Sequence, residues 1–555
     1  MAKKVVILGG GVAGMSAAHE LMERGFEVEV YEMRVVPGGK ARSYSDERTA
    51  KGGKPGLPAE HGFRFFPRFY KHLPDTMKRI PYPGNANGVL GNLVDATRLE
   101  FCRFGQTPFV VSARFPITPA DWKVVIAEIF HPVVQIKEDE KKFFAERVWQ
   151  LLTSCQDRRV NEYERLDWWD YVDADAPGRS EAYREFFALG LTRSLVAANA
   201  RKASTKTIGD IFLQLFFDMI YPGVSSDRLL NGPTNDVWID PWLKYLQSPP
   251  APLIPVKYHF DAEVVSINCD KKQVVSATIR RLGIEHEVKG DYYLAAVPVE
   301  VMARLVSPEM LQIDQTLEDI VTLAKNVNSM VGIQFYLRRD VEVVRGHVAY
   351  VDSPWAVTSI SQHQFWKNVD LSKYGNGEVR GIISADISEW DQAGILYNKT
   401  ADQCTPEEIK NEVWEQMKRS LNVDGQTVLT DDNLVDWNLE MDVVPDPHKP
   451  GRMMNLEPLL VNYVSTWGQR PNAFTAVPNL FLASDYVKTN TDIACMEAAN
   501  EAARRAVNRI LTTSGVRAPF CRIWGLREPF FFFPWRCADQ RRYNRGLPWN
   551  GKLFG

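Results

Sequence analysis

The chain has 555 residues, enough for several folding units, and its 45% hydrophobic and 24% charged residues exclude wholesale disorder and fibrous structure. Sixty-six basic against 69 acidic side chains leave a net charge of -3, which argues against a nucleic-acid binder driven by bulk electrostatics. Seven scattered cysteines and nine histidines show neither a disulfide framework nor metal-ligand spacing, so no metal is expected and reduced, cytoplasmic thiols are the simplest reading. No presequence pattern opens the chain, and no apolar run reaches the ~18 residues that span a bilayer. The expectation is a soluble protein, or one resting on the inner face of a membrane.

In chain order, Val5 to Leu8 is a continuous apolar run, the mark of a buried parallel strand. A glycine turn follows, then a helix over Val12 to Glu23 and an alternating strand over Phe26 to Tyr31. Strand, glycine turn, helix and strand within about 30 residues form the opening βαβ unit of a dinucleotide-binding domain. Pro116 to Trp169 and Glu181 to Tyr221 read as mostly helical, the second unusually apolar. Ser248 to Pro252 is a turn, after which Tyr258 to Ile267, Val274 to Arg280 and Tyr292 to Val297 have strand character. Residues 305–450 mix strands and helices; Leu480 to Ala483 is a last buried strand and Ile493 to Ile510 a final helix. Beyond Thr512 the chain turns aromatic and basic, through Phe530 to Phe533, Trp535, Arg536 and Arg541. Such a tail suits either a strap on the body or contact with an anionic membrane surface.

Gly9-x-Gly11-x-x-Gly14 permits a tight turn, a close backbone approach to pyrophosphate, and tight seating of the helix on the strand. The helix N-terminus offers unpaired N–H groups and partial positive charge to the phosphates. Glu32, ending the second strand, is placed to accept the ribose hydroxyls of an adenosine. Arg34, Gly38, Gly39 and Lys40 then put cations and a second glycine pair where a deeper diphosphate would lie.

This run resembles the doubled-glycine signature of the FAD superfamily that includes amine oxidases and phytoene desaturases. Glu60 to Phe66, with Tyr70, resembles the flavin-covering loop of plant and cyanobacterial phytoene and zeta-carotene desaturases. Arg228 to Leu246, Val264 to Ile267, Asn479 to Tyr486 and Met496 to Ala499 are similar to further segments of that family. The resemblance implies FAD as cofactor, held by Gly9, Gly11, Val12, Ala13 and Gly14, and by Glu32, Met33 and Arg34. It implies further contacts from Gly38, Gly39, Lys40, Ala41 and Arg42, and from Gly62, Phe63 and Arg64 in the covering loop. Val264 would meet the adenine, Asp485 the ribityl–phosphate region, and Ile493 and Met496 the flavin, with a helix dipole starting near Ala494. Arg64 and Tyr70 are the catalytic candidates, Arg64 standing where those desaturases carry histidine and Ser484 where many carry glycine.

The implied fold is α/β: a split Rossmann-type FAD-binding domain interleaved with a mixed α+β substrate domain. Its parts are residues 1–115, 236–304 and 455–512 for FAD, 116–235 for a helical portion, 305–454 for substrate, and 513–555 for the tail. The implied activity is desaturation of a long apolar isoprenoid, with electrons passing on to a quinone or oxygen. Two alternatives stay open. One is a flavin amine oxidase, disfavoured because Ala494 and Cys495 stand where an aromatic cage residue is usual. The other is an FAD-dependent isomerase or hydratase without net redox.

Overall fold

The computed structural model describes residues 2–112, 136–196, 198–219 and 225–554, with the side chains of residues 194–196 left aside. The expected helix start near Pro116 and the helix end at Tyr221 lie outside the described residues.

The first sheet is parallel throughout. Its strands are β1 (Lys4–Leu8), β2 (Glu27–Tyr31), β3 (Lys257–His259), β4 (Tyr292–Ala295) and β5 (Leu480–Leu482), in the order β5-β4-β1-β2-β3. Val5 to Leu8 of β1 are shut off from solvent, as a central strand covered on both faces must be. Helix α1 (Val12–Met22) follows β1 and packs beside α3 (Met496–Ser514), where Asn500 Nδ2 donates to Ser16 Oγ at 2.8 Å. Residues almost 500 positions apart in sequence thus close one domain.

Two expectations are corrected in this part of the chain. The single strand read over Tyr258 to Ile267 is two: β3 joins the parallel sheet, while Ala262–Cys269 starts a separate antiparallel three-stranded sheet with Val274–Arg281 and Ile284–Val288. Asp261, at φ +53°, makes the break between them, a left-handed backbone that no alternation of side chains can signal. The last FAD-domain helix starts at Met496 rather than Ile493, because Cys495 is its N-cap with extended backbone.

The second large sheet has seven strands, ordered Leu434–Leu439, Val331–Leu337, Gly381–Ile387, Thr358–Ser361, Gly346–Tyr350, Arg98–Arg103 and Gln106–Ser112. It draws its last two strands from the sequence preceding the helical portion. A helical cluster, including Glu138–Thr153, Trp168–Tyr171 and α2 (Thr205–Met219), buries Trp168, Tyr163, Tyr171 and Phe217. The tail carries a helix missed in the sequence, α4 (Phe533–Tyr543), strapped to this cluster by Asp539, whose carboxylate accepts from Arg158 Nε at 3.0 Å and from the Cys155 amide at 2.9 Å. Phe530 and Phe531 just before it and Phe533 at its start remain exposed.

Candidate functional site

The glycine turn is shaped by close approaches that only hydrogen can satisfy. Gly9 has φ +103°, and a Cβ there would sit 2.6 Å from the Ala296 carbonyl oxygen. A Cβ on Gly14 would lie 2.0 Å from the Gly9 carbonyl oxygen, so α1 can come down onto the turn only at glycine. Gly11 is the N-cap, Val12 and Ala13 open the helix, and Gly11 faces Gly38 and Gly39 in a parallel bridge. Both glycine pairs therefore meet at one helix N-terminus.

Glu32 leaves β2 into this turn. Its Oε2 accepts the Gly10 amide at 2.8 Å and its Oε1 the Arg34 amide at 2.9 Å, which fixes the carboxylate while leaving lone pairs for ribose hydroxyls. Burial raises its pKa, and the two amides work against that rise. The strand bearing Val264 departs beside it, with the Ala262 amide on the Glu32 carbonyl at 2.9 Å. Met33, placed with the cofactor by resemblance, turns its side chain out at 57% exposure.

Arg34 and Arg42 are spent on carboxylates rather than left free for a diphosphate. Arg34 Nη2 pairs with Asp442 and Glu457, each at 2.8 Å. Arg42, next to buried Ala41, is 2% exposed and pairs with Glu440 at 2.6 Å, Glu457 at 2.8 Å and Asp442. Burial drives Glu440 upward, whereas at Glu457 the two arginines overcome burial and hold the carboxyl down. The reason is long-range: these carboxylates lie about 400 residues further along the chain. Lys40 donates to the Pro458 carbonyl and stands 3.7 Å from Glu300.

Beyond the two glycine pairs lies a belt of buried polar atoms with no hydrogen-bond partner among the described residues. It comprises both ring nitrogens of His61, Glu300 Oε2, Tyr486 OH, and Nε and Nη2 of Arg470. Arg470 donates its Nη1 to the Asp485 carbonyl at 3.1 Å, and Glu300 feels both Lys40 and Asp485 electrostatically. Burial lowers His61 to about 3, so the ring is neutral. Unsatisfied buried groups are costly and rare, and a belt of them beside a glycine cradle fits FAD: diphosphate at the α1 N-terminus, ribose on Glu32, the remainder against these atoms. Arg470 and Glu300 carry no local motif in the sequence, whereas Tyr486 ends the family-like segment that starts at Asn479.

Arg64 ties the covering loop to the cradle. Its Nη1 donates to Thr234 Oγ1 at 2.8 Å and Glu60 at 3.2 Å, and its Nη2 to the carbonyls of Lys40 and Arg42 at 3.2 and 3.1 Å. Tyr70 is buried with Phe69 and Ile211 behind Ile493 and Cys495, and burial raises its hydroxyl well above the usual range. Both candidates thus position chain segments; neither lines the open space nearby.

That space is a cavity of about 240 Å³ between the covering loop, the large sheet and the segment before α3. Phe63 and Phe65 enter from the loop, Ile493 and Ala494 from the α3 side, and Asp386, His347 and Thr358 from the sheet. Met496, one residue into α3, packs against the FAD-domain core instead. Gly62 lets the loop lie down, since a Cβ there would be 2.8 Å from Asp386 Oδ1. Asp386 and His347 were invisible to the sequence reading, because only strand register brings them to the loop.

Fold and cradle together define a flavin-dependent oxidoreductase with FAD as its cofactor. More particularly, the chain belongs to the flavin-containing amine oxidoreductase family, whose profile matches residues 12–511. It is similar to the zeta-carotene desaturase of Capsicum annuum, 42% identical over 77 residues, 14% of this chain and 12% of that protein. It is also similar to the zeta-carotene desaturase of Zea mays, 35% identical over 114 residues, 20% of this chain and 18% of that protein. The chain thus matches less than a fifth of the length of these two curated relatives. Putrescine oxidase bound to putrescine has the same fold, with a TM-score of 0.60 at 12% identity over 92% of this chain and 99% of that one.

Proposed function

We propose that this chain removes two hydrogens from a CH–CH unit of a long apolar isoprenoid of the carotene-precursor type. The observation that carries the reading is the largely apolar lining of the cavity. Phe63, Phe65, Met330, Leu460, Val461 and Ile493 make it so, and on the α3 side Ala494 brings no second aromatic face to cage an ammonium ion. The similarity to zeta-carotene desaturases supports the same substrate class.

Bound FAD supplies a hydride acceptor. The chain's own part is to seat the substrate between Phe63 and Ile493, to exclude water with the covering loop, and to hold that loop through Arg64. Electron passage to a quinone or oxygen belongs to the same proposal. So does contact of the exposed Phe530, Phe531 and Phe533 with a membrane surface from which an apolar substrate is drawn. The test mixes holoprotein anaerobically with vesicles carrying a carotene precursor. Bleaching of the flavin with a product two hydrogens lighter is expected. Bleaching by putrescine but not by the hydrocarbon, or a product of unchanged mass, overturns the reading.

A further inference from the structure

The cavity contains a carboxyl group, Asp386, that accepts the Phe63 amide yet keeps one oxygen without a hydrogen-bond partner among the described residues. Asp386 lies near the end of Gly381–Ile387, opposite Thr358; Thr358 in turn opposes Ala349, two residues from His347. With a side-chain period of two, Asp386, Thr358 and His347 share one face of the sheet, and all three line the cavity. The covering loop lies on this face, where the Gly332 amide donates to the His61 carbonyl at 2.8 Å.

Among the described residues, Asp386 Oδ1 is shielded from water and has no hydrogen-bond partner, and the same holds for His347 Nε2. The charged neighbours are accounted for from every side. Arg64 and Glu60 face Asp386 from the loop, with Arg64 engaged by Glu60, Thr234 and two carbonyls. Arg193 enters from the helical portion and gives its Nη1 to the Val351 and Ser353 carbonyls at 2.7 and 3.3 Å. Burial leaves the His347 ring neutral, down to about 4. Asp386 is therefore a carboxyl group without an ion pair among the described residues, in contact with an otherwise largely apolar cavity. Burial raises it to about 7, with Arg64 and the Phe63 amide pulling the other way. An unpartnered carboxylate oxygen is costly to bury, so its place in a cavity wall points to a group that meets it there.

We propose that Asp386 is the proton acceptor of the oxidation carried out in this cavity. In the dehydrogenation proposed above, on which this inference rests, one C–H bond breaks with its electron pair and passes to FAD as hydride. The C–H bond of the adjacent carbon breaks, its electron pair becomes the second bond of the new C=C, and its proton joins the Asp386 carboxylate. The neutral carboxylic acid then loses that proton to solvent through the cavity mouth. A group titrating near neutrality suits this exchange, being a base for part of the time and able to release what it takes.

The experiment compares substrate-free holoprotein of the wild type, Asp386→Asn and Asp386→Glu. The visible spectrum of bound flavin is followed from about pH 5 to pH 9, and its anaerobic bleaching by vesicle-borne carotene precursor is followed in parallel. The wild type should show a spectral titration centred near 7. Asp386→Asn should lose that titration while retaining FAD, and should bleach about 10²–10⁴-fold more slowly. Asp386→Glu should keep a displaced titration, which shows that loss in the asparagine variant is not misfolding. An Asp386→Asn protein that titrates as the wild type does, or bleaches at the wild-type rate, overturns the assignment. If no hydrocarbon bleaches the wild type, the substrate reading fails by itself, and the substrate-free titration still decides whether Asp386 is the titrating group beside the flavin.

Discussion

Arg42 offers the sharpest test of how the cradle is built. Replacement by methionine keeps the stem's bulk and removes a guanidinium that is 2% exposed and bonded to Glu440, Asp442 and Glu457. Arg34 still covers Asp442 and Glu457, so Glu440 is the carboxylate left without a cation. Removing one partner from a buried ion cluster costs about 3–5 kcal/mol. At ~2.1 cal/mol/K of unfolding entropy per residue, 555 residues unfolding together give about 1.2 kcal/mol/K, so Tm should fall by about 3–4 °C. The deficit should depend on pH. Without Arg42 the Glu440 carboxyl rises further above its unfolded value, so the variant is least impaired below the unfolded pKa and most impaired above neutrality. Calorimetry near pH 5 and pH 8, with flavin content measured on the same samples, checks both statements. A double Arg42→Met, Glu440→Met protein should recover most of the loss. A single variant that melts like the wild type but no longer holds FAD would refute the reasoning, because Arg42 would then serve the diphosphate and not the carboxylates.

Gly14→Ala should abolish FAD retention, since its Cβ would lie 2.0 Å from the Gly9 carbonyl oxygen; flavin content after purification measures it. Glu32→Gln keeps the shape but weakens hydrogen bonds to the ribose by about 1.5–3 kcal/mol, raising the FAD Kd roughly 10- to 150-fold in a fluorescence titration. At Glu20, burial acts to raise the carboxyl, yet Arg504 and Arg79 outweigh it and hold it down to about 2. The folded pKa lies below the unfolded one, so this stability is complete above about pH 4.5 and lost as pH falls toward 2. Acid denaturation of Glu20→Gln should show a shallower loss across that window than the wild type.

The cradle was legible in the sequence because its demands are local. Gly9, Gly11 and Gly14 are needed by a turn and the helix that follows within a few residues, and Glu32 sits where the next strand ends. The clash of a Gly14 side chain with the Gly9 carbonyl and the length of the strand act within the segment itself, although Gly9 also answers to Ala296 of the neighbouring strand end. Arg34 reads as a free cation, and Arg42 as a cofactor contact by resemblance, for the opposite reason. Their partners, Glu440, Asp442 and Glu457, come from a strand end and loops some 400 residues away, and no local pattern announces a charge that is already neutralised. Asp386 and His347 were hidden for the same cause. Each is a polar residue in a mostly apolar strand, and only the pairing of Gly381–Ile387 with Thr358–Ser361, and of that strand with Gly346–Tyr350, sets them on one face under Phe63. Short-range sterics wrote the cofactor's seat into the amino-acid order; long-range register and charge pairing decided what faces the substrate.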